Sequence, residues 1–379
     1  MNKLKTLSRL VLGIVFTFSG FVKAVDPMGS AIKFTDYFNA MGLSALIPIA
    51  LVFAFLLSAT EFMVGFTLLF KIKPRLSEYG ALAFMIVFTP LTFWVAIVDP
   101  VTDCGCFGDV IVLSNWETFW KNIVLLILAI LLVRESKDIE AWFKEKIAYG
   151  ALGLGFLFIM IFQWYNYAHL PVMDFRPYSV GTYIPDEMVI PEDAEKDSVI
   201  TYLYYEKDGE TKEFTAENYP WEDTTWVWKE TKTVVVQEGY LPPIHDFDIY
   251  TFAFKNIGKE GGVNVVDQLL ADTSYSLLLI SDDLKNAPFE PIKSLTNLMN
   301  YCQVHKYNTY FITSSVVTDI LNIHSKLPFL IDFYLADATT LKTMIRSNPG
   351  LILLKEGKVI VKWHYNDFPG IEEFEKIVK

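Results

Sequence analysis

Residues 45–75 read ALIPIALVFAFLLSATEFMVGFTLLFKIKPR, a long apolar stretch that ends in a basic turn. Between residues 45 and 70 the only charged side chain is Glu61. A helix that crosses a bilayer needs roughly 17–25 apolar residues, so this stretch predicts a membrane span. Similar stretches predict further spans at residues 7–22, 80–98, 116–133 and 147–165. The fold expected for residues 1–165 is therefore a membrane α-helical bundle of four spans plus a fifth.

Basic residues predict how this bundle is oriented. Lys71, Lys73 and Arg75 join the second and third spans, and Arg134 and Lys137 begin the connection between the fourth and fifth. Connections rich in Lys and Arg remain in the cytoplasm. We therefore expect a protein of the bacterial inner (cytoplasmic) membrane, with a cytoplasmic N-terminus. After an odd number of spans, the C-terminal region lies outside, in the periplasm.

The composition argues against nucleic-acid binding and against a disulfide-rich fold. The chain has 379 residues, a net charge of −12 and 52% hydrophobic residues. It contains no basic stripe, so nucleic acid is not an expected partner. Membrane lipid is an expected partner. Three cysteines cannot form a disulfide framework.

Two of these cysteines lie one glycine apart, in Asp103-Cys104-Gly105-Cys106-Phe107-Gly108-Asp109. This segment connects the third and fourth predicted spans, on the external side. A disulfide within Cys-Gly-Cys closes a small, strained ring that is easily reduced, and an external compartment lets disulfides persist. Cys104 and Cys106 are therefore candidates for a redox pair. The alternatives are a structural clip and a site for a soft ion such as Cu(I). The flanking Asp103 and Asp109 are expected to raise the pKa of both thiols.

Glu61 is unusual because a carboxylate inside a membrane is costly and faces a partner or a cavity. It is a candidate for proton handling or for a polar group of a quinone site. The alternative is a helix-packing role, with a hydrogen bond to Ser or Thr on a neighbouring helix. The first external loop, from Ser19 to Tyr37, contains an Asp26-Pro27 step that predicts a turn. Its charged residues predict interfacial ion pairs.

These features resemble the DoxX/MauE-type redox-associated membrane proteins. The resemblance rests on Asp103–Asp109 after the third span, on Ser19-Gly20 with Lys23 and Asp26-Pro27, and on Glu61 four residues before Gly65. It covers roughly residues 1–165. It implies a role in cell-envelope disulfide formation or in quinone-coupled sulfur oxidation, with a quinone as the one implied cofactor.

Residues 166–262 predict an external linker and a small β-rich insert. Strands are expected at 199–205, 225–229 and 231–237, with a hairpin turn at Asp208-Gly209. Residues 263–379 predict an α/β domain, with strands at 276–281, 309–313, 329–335, 351–354 and 359–363. Helices are expected at 292–305, 318–327 and 371–378.

The order of these elements resembles a thioredoxin fold, with Pro349 at the position of the cis-proline before the last hairpin. Thioredoxins carry Cys-x-x-Cys after the first central strand, where this chain has residues 282–288, DDLKNAP. Cys302 falls later and is expected to be a buried core thiol. This domain is therefore not expected to exchange dithiols alone, and a partner-binding or covering role is more consistent with its sequence.

Two functions follow from the sequence. The first is a thiol-disulfide oxidoreductase or quinone-linked redox protein of the cell envelope that uses Cys104 and Cys106. The second is a non-enzymatic membrane scaffold, which presents a thioredoxin-like domain to envelope or periplasmic proteins. The Cys-Gly-Cys loop favours the first function, and the missing Cys-x-x-Cys favours the second. No metal site is expected.

Overall fold

A computed structural model describes the whole chain except residues 1, 102, 135–140, 196–197, 238 and 253–261. Its contacts form two compact units, Met1–Thr182 with Asp248–Lys379, and Tyr183–Phe247. The predicted borders at residues 165 and 262 stay predictions. Lys137, one of the basic residues used for orientation, lies outside the described residues.

In the part of the chain that the structure describes, five apolar helices are long enough to span a membrane. Each contains 20–25 residues, or about 30–37 Å at 1.5 Å per residue, which matches the ~30 Å hydrocarbon core. They confirm the predicted spans. Their bounds are α1 Asn2–Val25, α3 Ala50–Leu69, α4 Pro74–Val98, α5 Asn115–Arg134 and α6 Glu145–Ala168. A 3₁₀ turn, Ser44–Ile49, precedes α3.

The first external loop is mostly helical, which corrects the turn predicted at Asp26-Pro27. Helix α2 covers Pro27–Ala40. Asp26 caps it by accepting a 2.8 Å hydrogen bond from the Gly29 backbone nitrogen, and Pro27 occupies its first position. Proline is favoured there because the first amide of a helix has no intrahelical acceptor. The Asp-Pro step is therefore a helix start.

Helices α1 and α3 approach each other closely. A Cβ atom on Gly20 would lie 2.3 Å from the Phe62 nitrogen, and one on Gly65 would lie 2.2 Å from the Thr17 nitrogen. Small residues allow such backbone contact between membrane helices. Ser19 and Lys23 of α1 are thereby brought beside Glu61 of α3, which matters for the site described below.

The unit Tyr183–Phe247 contains a short helix, α7 Ile184–Glu187, and an antiparallel sheet of order β2-β1-β3. Its strands are β1 Ser198–Lys207, β2 Glu210–Thr215 and β3 Val227–Gln237. Asp208 and Gly209 form the β1–β2 turn with φ angles of 53° and 86°. That confirms the predicted hairpin. The two strands predicted at 225–229 and 231–237 are one continuous strand, β3.

The C-terminal domain, residues 248–379, contains a sheet of order β4-β7-β6-β5-β8-β9. Its strands are β4 Tyr250–Thr251, β5 Tyr275–Ser281, β6 Asn308–Thr313, β7 Asp332–Leu335, β8 Gly350–Lys355 and β9 Lys358–His364. Its helices are α8 Val266–Leu270, α9 Phe289–Ser294, α10 Thr296–His305, α11 Val317–His324, α12 Ala338–Met344 and α13 Ile371–Val378.

Strands β5, β6 and β7 are parallel, whereas β8 and β9 form an antiparallel hairpin beside β5. This is the arrangement of a thioredoxin-like fold. Leu277 and Leu279 of β5 are fully buried, as is Cys302 on α10, which confirms the predicted core thiol. The sequence predicted one helix where α9 and α10 lie, and it missed α12. It predicted no strand at Tyr250 and Thr251, which lie within the range given for the insert but form β4 and pair with β7.

Candidate functional site

The Cys104–Cys106 loop connects α4 to α5. Both cysteines are free and partly buried, and their Sγ atoms lie 3.2 Å apart. Gly105 has a φ of +66°, a backbone conformation that side chains other than glycine disfavour. Asp103 Oδ1 accepts a 2.8 Å hydrogen bond from the Gly105 nitrogen, which closes a tight turn. The turn holds the two thiols side by side.

A buried polar cluster anchors the loop to α1 and α3. Lys23 Nζ lies 2.8 Å from Glu61 Oε2 and donates a 2.7 Å hydrogen bond to the Cys106 carbonyl oxygen. Ser19 Oγ lies 2.9 Å from Glu61 Oε2 and 2.7 Å from the same carbonyl, and its one proton can serve either acceptor. Glu61 therefore faces a Lys and a Ser, and it is connected to the cysteine backbone through both.

Helix α2 holds the other side of the loop. Tyr37 donates a 3.1 Å hydrogen bond to the Cys104 carbonyl, and Lys33 Nζ lies 2.6 Å from Asp103 Oδ2. The ion pairs predicted for the first external segment therefore exist, but their partners lie on other elements. Three helices fix the position of the two thiols.

The two thiols have different acidities. A hydrogen bond from the Cys104 thiol, together with the nearby Lys121 and Lys23, lowers the pKa of Cys106 to about 6. The same hydrogen bond, together with burial, raises the pKa of Cys104 well above its ordinary value. The prediction that the pKa of both thiols would be raised was wrong for Cys106, because the hydrogen bond from Cys104 and the charges of Lys121 and Lys23 outweigh the effect of burial. Cys106 is thus the more acidic thiol of the pair.

A cavity of about 430 Å³ opens beside the thiols. Its bundle side is largely apolar, with Phe16, Met85, Phe88 and Leu125 in the lining. Cys104, Cys106, Lys23, Glu61 and Asn122 supply polar lining. Residues 171–176 and 339–346 complete it, so the C-terminal domain and the segment that leads to it border the same cavity. Volumes of ~300–1,000 Å³ are typical of small-molecule sites.

Arg346 joins the C-terminal domain to the cysteine loop. Its Nε lies 2.8 Å from Asp26 Oδ2, and its Nη2 lies 3.6 Å from Asp109 Oδ2. Gly29 leaves the necessary space, since a Cβ atom there would lie 3.0 Å from the Arg346 guanidinium. Although burial opposes it, the charges of Arg346 and Arg176 keep the pKa of Asp26 below its usual value.

The structure brings Cys104, Cys106 and Glu61 together but places Pro349 elsewhere. The Asn348–Pro349 peptide bond is cis, in the loop between α12 and β8 that also carries Arg346. Asn348 accepts a 2.6 Å hydrogen bond from Ser281 and donates one of 2.9 Å to the Asp283 carbonyl. Side-chain and backbone groups thus fill the end of β5, where thioredoxins place their cysteines. Among the described residues, no group of three or more His, Cys, Asp or Glu is placed to hold a metal ion.

Sequence reasoning missed two residues of this site, Lys121 and Arg346. It named Lys23 as a candidate for an interfacial ion pair, and that pair exists, but its partner Glu61 was not foreseen. Lys121 follows Trp120 at the start of a span, where a lysine is typical of a membrane interface. Arg346 lies 320 residues from Asp26 in the chain, and no local pattern indicates that contact.

The family comparison matches the membrane part of the chain. Residues 1–134 match the family of methylamine utilisation protein MauE. Residues 199–238, which include most of β1 and all of β2 and β3, match a domain of unknown function, DUF8463. No curated protein matches the chain.

Two solved structures are similar to the C-terminal part. DsbE of Chlorobium tepidum is 12% identical with a TM-score of 0.27, and the match covers 35% of this chain and 90% of that one. A mutant of PrxQ of Xylella fastidiosa is 12% identical with a TM-score of 0.23, covering 35% and 94%. The strand order and direction described above, rather than these distant likenesses, carry the assignment of a thioredoxin-like fold.

Proposed function

We propose that this membrane protein is a thiol-disulfide oxidoreductase in which Cys104 and Cys106 cycle between dithiol and disulfide. One observation carries the proposal: two free thiols lie 3.2 Å apart at the wall of a cavity. A disulfide requires an S–S distance of about 2.05 Å, so a small loop movement suffices to form one. The lowered pKa of Cys106 supplies the thiolate that thiol–disulfide exchange needs.

Glu61 is the proposed proton-handling group. Formation of a disulfide from two thiols releases two protons, and a carboxylate close to the pair could receive one. Ser19 lies within hydrogen-bond distance of both Glu61 and the Cys106 carbonyl, and Lys23 contacts the same two groups. These contacts support a path for a proton from the cysteine loop to Glu61 through Ser19.

A quinone is the proposed electron acceptor. The chemistry of the cavity lining fits one, because apolar side chains suit a quinone ring and its isoprenoid tail, and the amide of Asn122 offers a hydrogen bond to a quinone carbonyl. Phe88, Leu91 and Leu125 would hold the ring, with Asn122 and Lys23 at its polar edge. A bound quinone would accept two electrons and two protons as the dithiol becomes a disulfide.

Trapping of thiols in intact cells tests the cycle. We expect wild-type protein to contain both dithiol and disulfide forms, in a ratio that shifts when quinone synthesis is blocked. The variant C104S should accumulate a mixed disulfide on Cys106, identified by mass spectrometry, whereas C302A should behave as wild type. The cysteine pair could instead stay in one redox state while C104S and C106S remain fully functional. That result would favour the scaffold function suggested by the missing Cys-x-x-Cys.

We also propose that the bundle lies in a bacterial inner membrane, with its cysteine loop and C-terminal domain in the periplasm. Arg9, near the start of α1, donates hydrogen bonds to the Leu68 and Leu69 carbonyls at the end of α3, so these ends lie together, away from the cysteine loop. Impermeant maleimide tests the orientation in a cysteine-free background. It should label E290C in intact cells but label R75C only after lysis.

A further inference from the structure

We propose that the electron donor of this site is a low-molecular-weight thiol that carries a carboxylate, and that the C-terminal domain keeps protein thiols away from Cys104 and Cys106. This inference rests on the proposed function and names its substrate class. It starts from the fact that the cavity beside the thiols is bordered by the bundle, by the cysteine loop and by residues 171–176 and 339–346.

Residues 171–176 and 339–346 form the cover of the cavity, and this cover is fixed at several points. Arg346 contacts Asp26 and Asp109. Arg176, which is buried, donates a 3.1 Å hydrogen bond to the Thr343 carbonyl at the end of α12. Its Nε also lies 2.8 Å from Asp174 Oδ1, and Lys362 of β9 lies 2.7 Å from Asp174 Oδ2. The segment from the membrane to the sheet is therefore tied to both α12 and β9.

Backbone hydrogen bonds reinforce this attachment. The Gly181 nitrogen donates to the Val359 carbonyl at 2.8 Å, and the Val359 nitrogen donates to the Thr182 carbonyl at 2.9 Å. Asn366 donates a 2.7 Å hydrogen bond to the Ala168 carbonyl at the end of α6. A protein thiol needs room for the chain on both sides of its cysteine, and this cover would have to detach to provide it. A small thiol needs only the cavity.

Charge indicates the kind of small thiol. Most cations of the lining are already paired: Lys23 with Glu61, Lys33 with Asp103 and Arg346 with Asp26. Among the described residues, Lys121 Nζ has no carboxylate within 4.0 Å and lies 4.2 Å from the Phe107 ring centroid. The one ion pair of Lys342 within the described part of the chain is a long contact of 3.8 Å to Asp282. Lys121 helps to lower the pKa of Cys106. Lys342 is therefore the cation of the lining that we expect to bind the carboxylate of a ligand.

Two donor thiols reduce the Cys104–Cys106 disulfide in two steps. The thiolate of one donor molecule attacks a sulfur of the Cys104–Cys106 disulfide, forming a mixed disulfide and releasing the other cysteine as a thiolate. A second donor thiolate then attacks the donor sulfur of the mixed disulfide, releasing a donor disulfide and the second cysteine thiolate. Two donor thiols are oxidised, and both cysteines are reduced and take up the two protons. A lipid-soluble quinone would then reoxidise the pair by accepting two electrons and two protons.

The test uses the full chain in lipid nanodiscs with decylubiquinone, whose reduction is followed by absorbance. The donors are N-acetylcysteine, which has a carboxylate, N-acetylcysteamine, which lacks it, and reduced unfolded ribonuclease A as a protein thiol. After correction for thiolate fraction, N-acetylcysteine should react roughly tenfold faster than N-acetylcysteamine, the effect of one charge-assisted contact. The variant K342M should lose this preference, and K293M, on the surface of α9, should keep it.

Ribonuclease thiols should react poorly with wild-type protein and faster with R346A or D26N, two variants that weaken the cover from opposite sides. Equal or faster oxidation of ribonuclease by the wild type would overturn the inference while leaving the proposed redox function intact. Equal rates with the two small thiols would overturn the carboxylate preference. If no thiol supports quinone reduction and the cysteines never change state, the proposed function fails and the inference falls with it.

Discussion

At the scale of single residues, Lys121 is one of the groups that lower the pKa of Cys106. Its ammonium helps to lower the pKa of Cys106 to about 6, after the hydrogen bond from Cys104. A lowered thiol pKa means that the thiolate is present above about pH 6, so K121M should shift half-maximal alkylation of Cys106 upward by about one pH unit. Iodoacetamide labelling across pH 5–9, read by mass spectrometry, measures this shift.

The matched control for that prediction is K33M, which removes a cation from the same region. Because Lys33 is paired with Asp103 at 2.6 Å, its loss should shift the alkylation profile less than the loss of Lys121. K121R should retain the wild-type profile. Equal shifts in K121M and K33M would contradict a specific role for Lys121.

The Lys23–Glu61 pair is a second residue-scale test. Only 8% of either side chain is exposed, so K23M leaves an uncompensated buried carboxylate and E61Q leaves an uncompensated ammonium. Each single variant should lower the free energy of unfolding in detergent by roughly 3–5 kcal/mol. The double variant should lose clearly less than the sum. Additive losses would show that the two groups do not stabilise each other.

At the scale of elements, the closeness of α1 and α3 depends on glycine. G20A would place a Cβ atom 2.3 Å from the Phe62 backbone nitrogen, so the helices must separate, at an expected cost of roughly 1–3 kcal/mol. G153A is the matched control, because nothing lies within 4 Å of a Cβ atom there on α6. Unfolding in detergent should show a loss for G20A only. A similar loss for G153A would mean that helix flexibility, rather than contact, explains the effect.

The sequence predicted elements well where a local pattern is strong. All five spans were found because long apolar runs are unambiguous, and β5 and β8 were found as buried runs between polar segments. Helix α2 was missed because an Asp-Pro step can begin either a turn or a helix. Helix α12 was missed because it has seven residues, too few to show a 3.6-residue period.

At the scale of the whole molecule, the site was predicted only in part. Cys104, Cys106 and Glu61 were found because thiols in a short loop and a carboxylate in a span are each unusual where they occur. Their position under the C-terminal domain depends on Arg346, and its partner Asp26 is 320 residues away. A contact between residues so far apart in the chain depends on how the bundle and the C-terminal domain dock. Hydrophobic periodicity predicts the elements of each domain but not their docking.

That docking gives the last prediction. Arg346 is 9% exposed and Asp26 is 20% exposed, so R346M leaves a largely buried carboxylate at the start of α2 without its cation. We expect a loss of roughly 3–5 kcal/mol in the stability of the docked arrangement. Hydrogen exchange measured by mass spectrometry should accelerate both in α12 and in α2, the two sides of the contact. K293M breaks a 4.0 Å surface pair and should change neither segment.

Acid should have the same effect as R346M, with a defined sign. Because the pKa of Asp26 is lowered in the folded protein, its contribution to stability is complete above its unfolded value of about 3.9 and is lost as the pH falls through the lower folded value. After correction for the intrinsic exchange rate at each pH, the protection of α2 should therefore fall below about pH 4 in the wild type, but much less in R346M, where the stabilising cation is already gone. Acceleration confined to α12 in R346M would show that Arg346 supports only its own loop and does not stabilise α2.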